Sequence, residues 1–194
     1  MSQELGWLLL WGTAVALDLV SVPQVMITRP LVAGTVAGAI LGDPVAGATA
    51  GAILELFALD LLPVGAARYP DYGPGAVVAA AVTAGAPDVF SLGLAVALGL
   101  AVAYAGQWTL HFTRRLNARD MRRNRAGLDG GDAACIRRVH LRSIGRDAAR
   151  GFVVTALGLG AAWLLRSAPP FSARGAVLLS SVAVGAGLAA ATSG

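Results

Sequence analysis

The sequence from Arg29 to Ala66 reads "RPLVAGTVAGAILGDPVAGATAGAILELFALDLLPVGA". It is apolar over most of its length and rich in glycine, yet it contains three carboxylates, Asp43, Glu55 and Asp60. A carboxylate at the centre of a membrane segment costs on the order of 3 kcal/mol or more. Such a side chain therefore needs a polar cavity, a partner residue or another subunit.

Two unequal apolar pieces, 31–41 and 45–62, make up this stretch, and "GDP" at 42–44 is a turn signal between them. A straight spanning helix needs roughly 20 residues, so the first piece is too short to cross a bilayer. The pattern predicts a broken or re-entrant helical hairpin. Short, glycine-bearing segments are the best sequence indication of a transporter's binding site, although glycines can also serve only to pack helices.

The composition is that of a membrane protein. Of the 194 residues, 56% are hydrophobic and only 13% are charged, whereas a soluble domain usually carries about 25% charged residues. The mean hydropathy is +0.68. Several near-continuous apolar runs of spanning length argue against a soluble domain with a single core.

Five further apolar segments complete the organisation: 5–27, 76–86, 89–112, 152–165 and 176–191. The first is interpreted as a retained membrane segment, because it lacks the basic start and the cleavage site of a signal peptide. We expect an all-α polytopic membrane protein with about four full spans plus short broken or re-entrant hairpin segments. The N-terminal membrane region is predicted to cover residues 1–113.

An arginine-rich loop is predicted at 114–150, and residues 151–194 are predicted to form C-terminal membrane segments. The loop holds eleven arginines and four aspartates, and the chain has no lysine. Short arginine-rich connections beside membrane spans stay in the cytoplasm. Binding of nucleic acid is the alternative explanation, but the loop has no aromatic residues between its arginines. We therefore expect a cytoplasmic loop and no nucleic-acid partner.

Glu55 and Asp18 lie well inside apolar segments. From its position alone, Glu55 can accept hydrogen bonds from sugar hydroxyls, carry a proton or belong to an ion pair. Asp18 presents the same case in the first segment. Asp43 is explained more simply as a turn residue before Pro44, and Asp60 as a residue that reaches the membrane interface.

Three stretches carry a resemblance to a known family. They are "PQVMITRPLVAGTVAGAILGD" (23–43), "GATAGAILELFALDLLPVGAARYPD" (47–71) and "RVHLRSIGRDAARGFVVTALGL" (138–159). Together they resemble the mannose/sorbose-type enzyme II C component of the bacterial sugar phosphotransferase system. The resemblance extends from about Leu5 to Gly187.

This resemblance implies a sugar-translocating subunit that pairs with a D component in the bacterial cytoplasmic (inner) membrane. Separate cytoplasmic A and B domains pass phosphate from phosphoenolpyruvate to the sugar. The family's permeases move an elevator-like core of broken hairpins, and they form trimers. No cofactor, metal, catalytic residue or phosphorylated residue is expected in this chain, because the family's phosphohistidines belong to the A and B domains.

The candidate sugar-binding residues are Gln24, Glu55, Asp71 and Gln107. Carboxylates and amides suit this role because paired acceptors distinguish adjacent hydroxyls, while apolar walls cover the ring faces. Glu55 is the best candidate, on the helix after the turn. Gln107 can equally serve as a hydrogen-bonding contact between helices.

Structural roles are expected for Arg29, Asp18 and Asp43. Arg29 precedes Pro30 and is predicted to neutralise a carboxylate or to cap a hairpin. His111 and His140 are interpreted as interfacial residues, and Cys135 is alone, so it predicts neither an internal disulfide nor a thiolate metal site.

Two features depart from the family pattern. The sequence stops at Gly194, where a longer chain is expected, and Arg68, Tyr69 and Tyr72 occupy a loop that usually holds small apolar residues. They favour an alternative function, a non-transporting membrane partner or sensor for phosphotransferase components. An unrelated small-solute carrier is a third possibility. Transport remains the main prediction, and the sequence does not specify the sugar.

Overall fold

The computed structural model describes residues 2–59, 69–84 and 89–166. Within these ranges the chain forms seven α-helices and no strand, as the sequence predicts. The helices are α1 (Ser2–Val20), α2 (Pro30–Ile40), α3 (Pro44–Ala58), α4 (Tyr72–Thr83), α5 (Val89–Arg123), α6 (Arg125–Asp129) and α7 (Ala133–Arg166). The predictions for Asp60, Arg68 and the segment 176–191 concern residues outside the described part.

Helices α2 and α3 form the hairpin that the turn signal predicts. Asp43 is the N-cap of α3, and its carboxylate accepts a hydrogen bond of 3.0 Å from the backbone N–H of Ala46. Gly42 has a φ of +81°, a left-handed conformation that glycine adopts without steric cost. Pro44 fits the first helical position, where its missing N–H is not needed. These three residues therefore place the turn of the hairpin at 42–44.

Two matched glycine pairs bring the hairpin helices into backbone contact. Gly34 and Gly38 on α2 face Gly47 and Gly51 on α3, each pair in a G-x-x-x-G pattern. A Cβ on Gly34 would lie 2.6 Å from the carbonyl oxygen of Gly47. Small residues allow this close approach in membrane proteins. The glycines here pack one helix against the other.

We expect Gly34→Leu to separate the hairpin helices and to lower the thermal midpoint of the detergent-purified protein. Overpacking costs about 1–3 kcal/mol where side chains can adjust, and here the obstacle is backbone. Gly160→Leu is the matched control, because nothing lies within 4 Å of a Cβ at this exposed position on α7. Equal midpoints for the two variants would contradict the packing described here.

Helix α4 lies at the centre of the molecule. Its residues from Tyr72 to Ala80 are all buried, and it contacts α1, α2, α3, α5 and α7. The contact with α5 is made by glycine, since a Cβ on Gly75 would lie 2.5 Å from the carbonyl oxygen of Gly99. Helix α4 thus packs against every other described helix except the short α6.

Helices α5 and α7 continue into the segment 114–150, so most of the predicted arginine-rich loop is helical. The helical structure breaks at Asn124 and again around Gly131, which has a φ of +71°. The segment contains no proline, and arginine and alanine are good helix formers. Helix therefore persists where the composition is polar. We call residues 114–150 the arginine-rich extension.

Among the described helices, Ser91–Arg123 and Ala133–Leu165 are long and apolar enough to cross a membrane. Each has 33 residues and at 1.5 Å per residue is about 50 Å long, which exceeds the roughly 30 Å of a hydrocarbon core. The first predicted segment, 5–27, ends as a helix at Val20. An irregular segment that contains Pro23 follows it.

Candidate functional site

Glu55 and Arg29 form an ion pair between α3 and the start of α2. Arg29 is the N-cap residue of α2, and the backbone N–H of Leu31 donates a hydrogen bond of 3.1 Å to Oε2 of Glu55. A carboxylate is favoured at a helix N-terminus, where N–H groups point outward. Of the three roles open to Glu55, ion pairing is the one seen in this structure. The guanidinium of Arg29 lies beside the carboxylate of Glu55 and balances its charge.

A small cavity of about 50 Å³ lies beside this pair. It sits where α1 and α3 end and where α2 and α4 begin. It is lined by Leu19, Thr28, Arg29, Pro30, Ala58, Tyr69, Pro70 and Tyr72. Ligand sites for small molecules typically measure about 300 Å³ or more, so this cavity is too small for a hexose in the conformation described here. Its lining combines two aromatic rings, a guanidinium and the hydroxyl-bearing Thr28.

Thr28 lines this cavity and carries a buried hydroxyl that packs against Gly73 near the start of α4. Its Oγ1 is buried and lacks a partner among the described residues. Buried polar atoms are usually hydrogen-bonded, and each exception calls for an explanation such as a ligand, a water or a functional role. The cavity lining therefore includes the guanidinium of Arg29 and a threonine whose buried hydroxyl has no partner among the described residues.

Asp18 shapes the irregular segment between α1 and α2. This buried carboxylate accepts hydrogen bonds from the backbone N–H groups of Val25 (2.7 Å) and Thr28 (3.1 Å). Gln24 and Met26 have φ angles of +59° and +67°, which non-glycine residues adopt only when their surroundings enforce it. Asp18 thus holds two backbone N–H groups of this segment in place. Gln24 itself is exposed.

We expect Asp18→Ala to destabilise the protein by about 1–3 kcal/mol, because it leaves two backbone donors without their acceptor. Asp18→Asn keeps one acceptor oxygen and should have a smaller effect. Thermal midpoints in detergent measure this difference. Asp132→Ala is the control, since the Asp132 carboxylate accepts an exposed hydrogen bond from Ala134. An Asp18→Ala midpoint no lower than that of the control would contradict this role.

Asp71 and Arg150 form a buried ion pair that ties α4 to α7. Their side chains are 0% and 3% exposed, and Nη1 of Arg150 lies 2.6 Å from Oδ2 of Asp71. Nη2 of Arg150 also donates to the carbonyl oxygen of Ala16 on α1, at 3.3 Å. Gly106 on α5 provides room for the pair, because a Cβ there would lie 2.6 Å from the Cβ of Asp71. Asp71 is therefore held at a junction of four helices.

Sequence reasoning missed Arg150, which it assigned to the cytoplasmic loop with ten other arginines. The position of Arg150 in the sequence could have identified it. It lies in "AARG", between small residues and directly before the apolar run at 152–165. An arginine so close to a membrane segment indicates a partner inside the protein.

A second contact ties the cavity lining to α5. Nη2 of Arg114 donates to the hydroxyl of Tyr69 at 3.1 Å, and its guanidinium lies 5.6 Å from the centroid of the same ring. The hydroxyl of Tyr72 donates to the carbonyl oxygen of Phe57 at 3.3 Å. The tyrosines that depart from the family pattern are thus part of the cavity wall.

The structure does not bring the four candidate sugar residues together at the cavity. Glu55 pairs with the cavity-lining Arg29, whereas Asp71 is bound by Arg150, and Gln107 is half-buried on α5 beside Gly106. Within the described ranges no group of three or more His, Cys, Asp or Glu side chains is placed to hold a metal ion.

Comparisons with known proteins place these features in context. The sequence profile of the family described as "PTS system sorbose-specific iic component" matches residues 5–188. The chain is 41% identical over 88 residues to the PTS system sorbose-specific EIIC component of Klebsiella pneumoniae, which covers 45% of this chain and 32% of that protein. It is 30% identical over 135 residues to the PTS system mannose-specific EIIC component of Escherichia coli (strain K12), covering 68% and 50% respectively. The chain thus spans about a third to a half of these relatives' lengths.

Two solved structures share the fold. A chain of the cryo-EM structure of the mannose transporter ManYZ in complex with microcin E492 matches with a TM-score of 0.73 and 22% identity, over 97% of this chain and 77% of that chain. A second structure, described only as a membrane protein, also has a TM-score of 0.73 and 22% identity, over 98% and 78%. Both likenesses concern the helical arrangement.

Proposed function

The chain belongs to the family of sorbose-specific IIC components of the sugar phosphotransferase system (PTS), and from that premise we propose that it is the sugar-translocating membrane subunit of such a system. It is a membrane protein whose regular structure is helical throughout the described ranges. The observation that supports transport most directly is the Glu55–Arg29 pair beside the cavity. An anion and a cation held side by side provide both an acceptor and a donor for neighbouring sugar hydroxyls.

The sugar would bind between the hairpin and the segment around Tyr69 and Tyr72. Glu55 and Arg29 would contact hydroxyls, Thr28 would add its unpaired Oγ1, and the tyrosine rings would cover a face of the sugar. Because the cavity measures only about 50 Å³, the surrounding helix ends must move apart when sugar enters. The described conformation is therefore proposed to be a closed one.

The remaining candidates take different roles in this proposal. Gln24 lies on the exposed segment that leads into Thr28, so it stays a proposed sugar contact. Gln107 stays a proposed contact between helices or with sugar. Asp71 is proposed to act through Arg150, by fixing the start of α4 beside the cavity.

An elevator-like movement is proposed in which α2 and α3 travel as one body. Backbone contact through Gly34 and Gly47 leaves these two helices little freedom relative to each other. The long helices α5 and α7 would form the static part. Four spans in total are proposed, including residues outside the described ranges.

The proposed setting is the bacterial inner membrane, with several spans and the arginine-rich extension in the cytoplasm. The partners proposed are a D component in the membrane, cytoplasmic A and B domains, and further copies of this chain in a trimer. Exposed arginines at the tip of the extension, such as Arg137 and Arg138, favour a second candidate function, a non-transporting partner for phosphotransferase components.

Phosphoenolpyruvate-dependent sugar phosphorylation in membrane vesicles tests the proposal. Vesicles would contain the D, B and A partners with or without this chain, and sorbose, mannose and fructose would be supplied in turn. We expect phosphorylation of at least one sugar only when the chain is present. Stable co-purification with the D component, without phosphorylation of any of the three, would instead favour the non-transporting partner.

A further inference from the structure

The outer face of α5 carries a row of aromatic side chains that continues as a row of arginines. Tyr104, Trp108 and Phe112 are 52%, 71% and 60% exposed, and Arg115 and Arg119 are also exposed. Successive spacings of four, four, three and four residues place all five on one face of a helix. This surface, defined by residues 104, 108, 112, 115 and 119, is called the α5 outer face.

The large aromatic residues of this face differ from the small residues through which α5 contacts other helices. Inside, α5 meets its neighbours through small residues, with Gly99 against α4 and Gly106 against Asp71. Helices in membranes pack through such small residues, whereas tyrosine and tryptophan are enriched where a helix meets the membrane–water interface. The α5 outer face therefore has the composition of a surface turned toward lipid.

The basic part of this face has no acidic partner. Asp120, the next acidic residue along α5, is buried on another face and bound by Arg146 (2.8 Å) and Arg142 (3.4 Å). Among the described residues no carboxylate pairs with Arg115 or Arg119. Their positive charge is left for an anion outside the chain.

The depths of the two rows fit one lipid molecule. At 1.5 Å per residue, Arg115 lies about 4.5 Å beyond Phe112 along the helix, and Arg119 lies about 6 Å further. The polar layer of a bilayer adds roughly 5–7 Å on each side of the hydrocarbon core. Arginine side chains reach several ångströms toward that layer and bind phosphate through two parallel N–H donors.

We propose that the α5 outer face binds an anionic phospholipid, with an acyl chain along Tyr104, Trp108 and Phe112 and the phosphate between Arg115 and Arg119. A polybasic cluster directly beside a membrane helix is the arrangement that attracts anionic lipid. The inference rests on the membrane placement of α5 and is independent of sugar transport. A protein subunit on this face is the competing occupant.

Trp108 provides its own reporter in a variant with phenylalanine at Trp7, Trp11 and Trp163. In nanodiscs that contain brominated phosphatidylglycerol or brominated phosphatidylcholine, we expect at least a ~3-fold stronger quenching of Trp108 by the anionic lipid, because basic residues near the membrane surface attract anionic headgroups. The double variant Arg115→Gln/Arg119→Gln should remove this preference. Arg137→Gln/Arg138→Gln, which removes the same charge at the far end of the extension, should retain it.

Equal quenching by the two lipids, or loss of the preference in both double variants, would overturn the proposal. Absence of quenching by either lipid would also overturn it, since a protein subunit would then cover the face. Native mass spectrometry provides a second test that leaves every tryptophan in place. Wild type should retain bound phosphatidylglycerol that Arg115→Gln/Arg119→Gln loses, and equal retention would contradict the site.

Discussion

Glu55→Gln is expected to lower phosphoenolpyruvate-dependent sugar phosphorylation in vesicles about 10- to 100-fold, with the protein still in the membrane. Glutamine has nearly the same size but loses the charge that Arg29 and the N–H of Leu31 bind. A hydrogen bond to a charged group contributes about 1.5–3 kcal/mol, and each 1.4 kcal/mol corresponds to about tenfold. The rate of sugar phosphate formation, normalised to the amount of protein in the membrane, measures the effect.

Asp129→Asn is the matched control for this experiment. It removes an exposed carboxylate that pairs with Arg125 on α6, far along the chain from the hairpin. We expect this variant to keep the wild-type rate, because exposed ion pairs contribute about 0–1 kcal/mol. A Glu55→Gln rate equal to that of Asp129→Asn would place the sugar elsewhere, even if the chain transports it.

Arg150→Met is expected to destabilise the fold by about 3–5 kcal/mol, because it leaves the Asp71 carboxylate buried without a partner. Total stabilities of proteins are only about 5–15 kcal/mol, so this single change should prevent recovery of much of the protein at growth temperature. The thermal midpoint in detergent and the yield of monodisperse protein both measure the loss.

The double variant Asp71→Leu/Arg150→Met distinguishes two causes of destabilisation. One is the loss of the ion pair, and the other is a buried carboxylate left without a partner. Replacing a buried ion pair by apolar residues of similar size is often neutral or stabilising. We therefore expect the double variant to recover most of the midpoint lost in Arg150→Met. A double variant as unstable as the single one would show that the pair itself, with the bond from Arg150 to Ala16, is needed for the fold.

The hairpin could be predicted from sequence because its determinants are local. Gly42, Asp43 and Pro44 specify a turn and a helix start through their own backbone and side-chain chemistry, and the structure places Asp43 at the N-cap of α3. The resemblance to the family was confirmed by the profile match over residues 5–188.

Partners distant in sequence could not be predicted in the same way. Asp71 and Arg150 are 79 residues apart, and no local pattern states which arginine out of fifteen reaches a buried carboxylate. Glu55 allowed three roles because its depth indicates only that some partner exists. The helices of the arginine-rich extension were missed because its positive charge was interpreted only as a sign of a cytoplasmic location. The absence of proline in this segment was the feature that indicated helix.

Equilibrium binding of radiolabelled sugar to the purified complex in nanodiscs shows whether this chain binds sugar through Glu55. The complex would contain this chain and its D component, with sorbose, mannose and fructose as ligands and with Glu55→Gln and Asp129→Asn as paired variants. We expect saturable binding of at least one sugar by wild type and Asp129→Asn, and at least about tenfold weaker binding by Glu55→Gln, the equivalent of about 1.4 kcal/mol. The same Kd in all three proteins, or no saturable binding of any of these sugars by the wild type, would contradict this expectation.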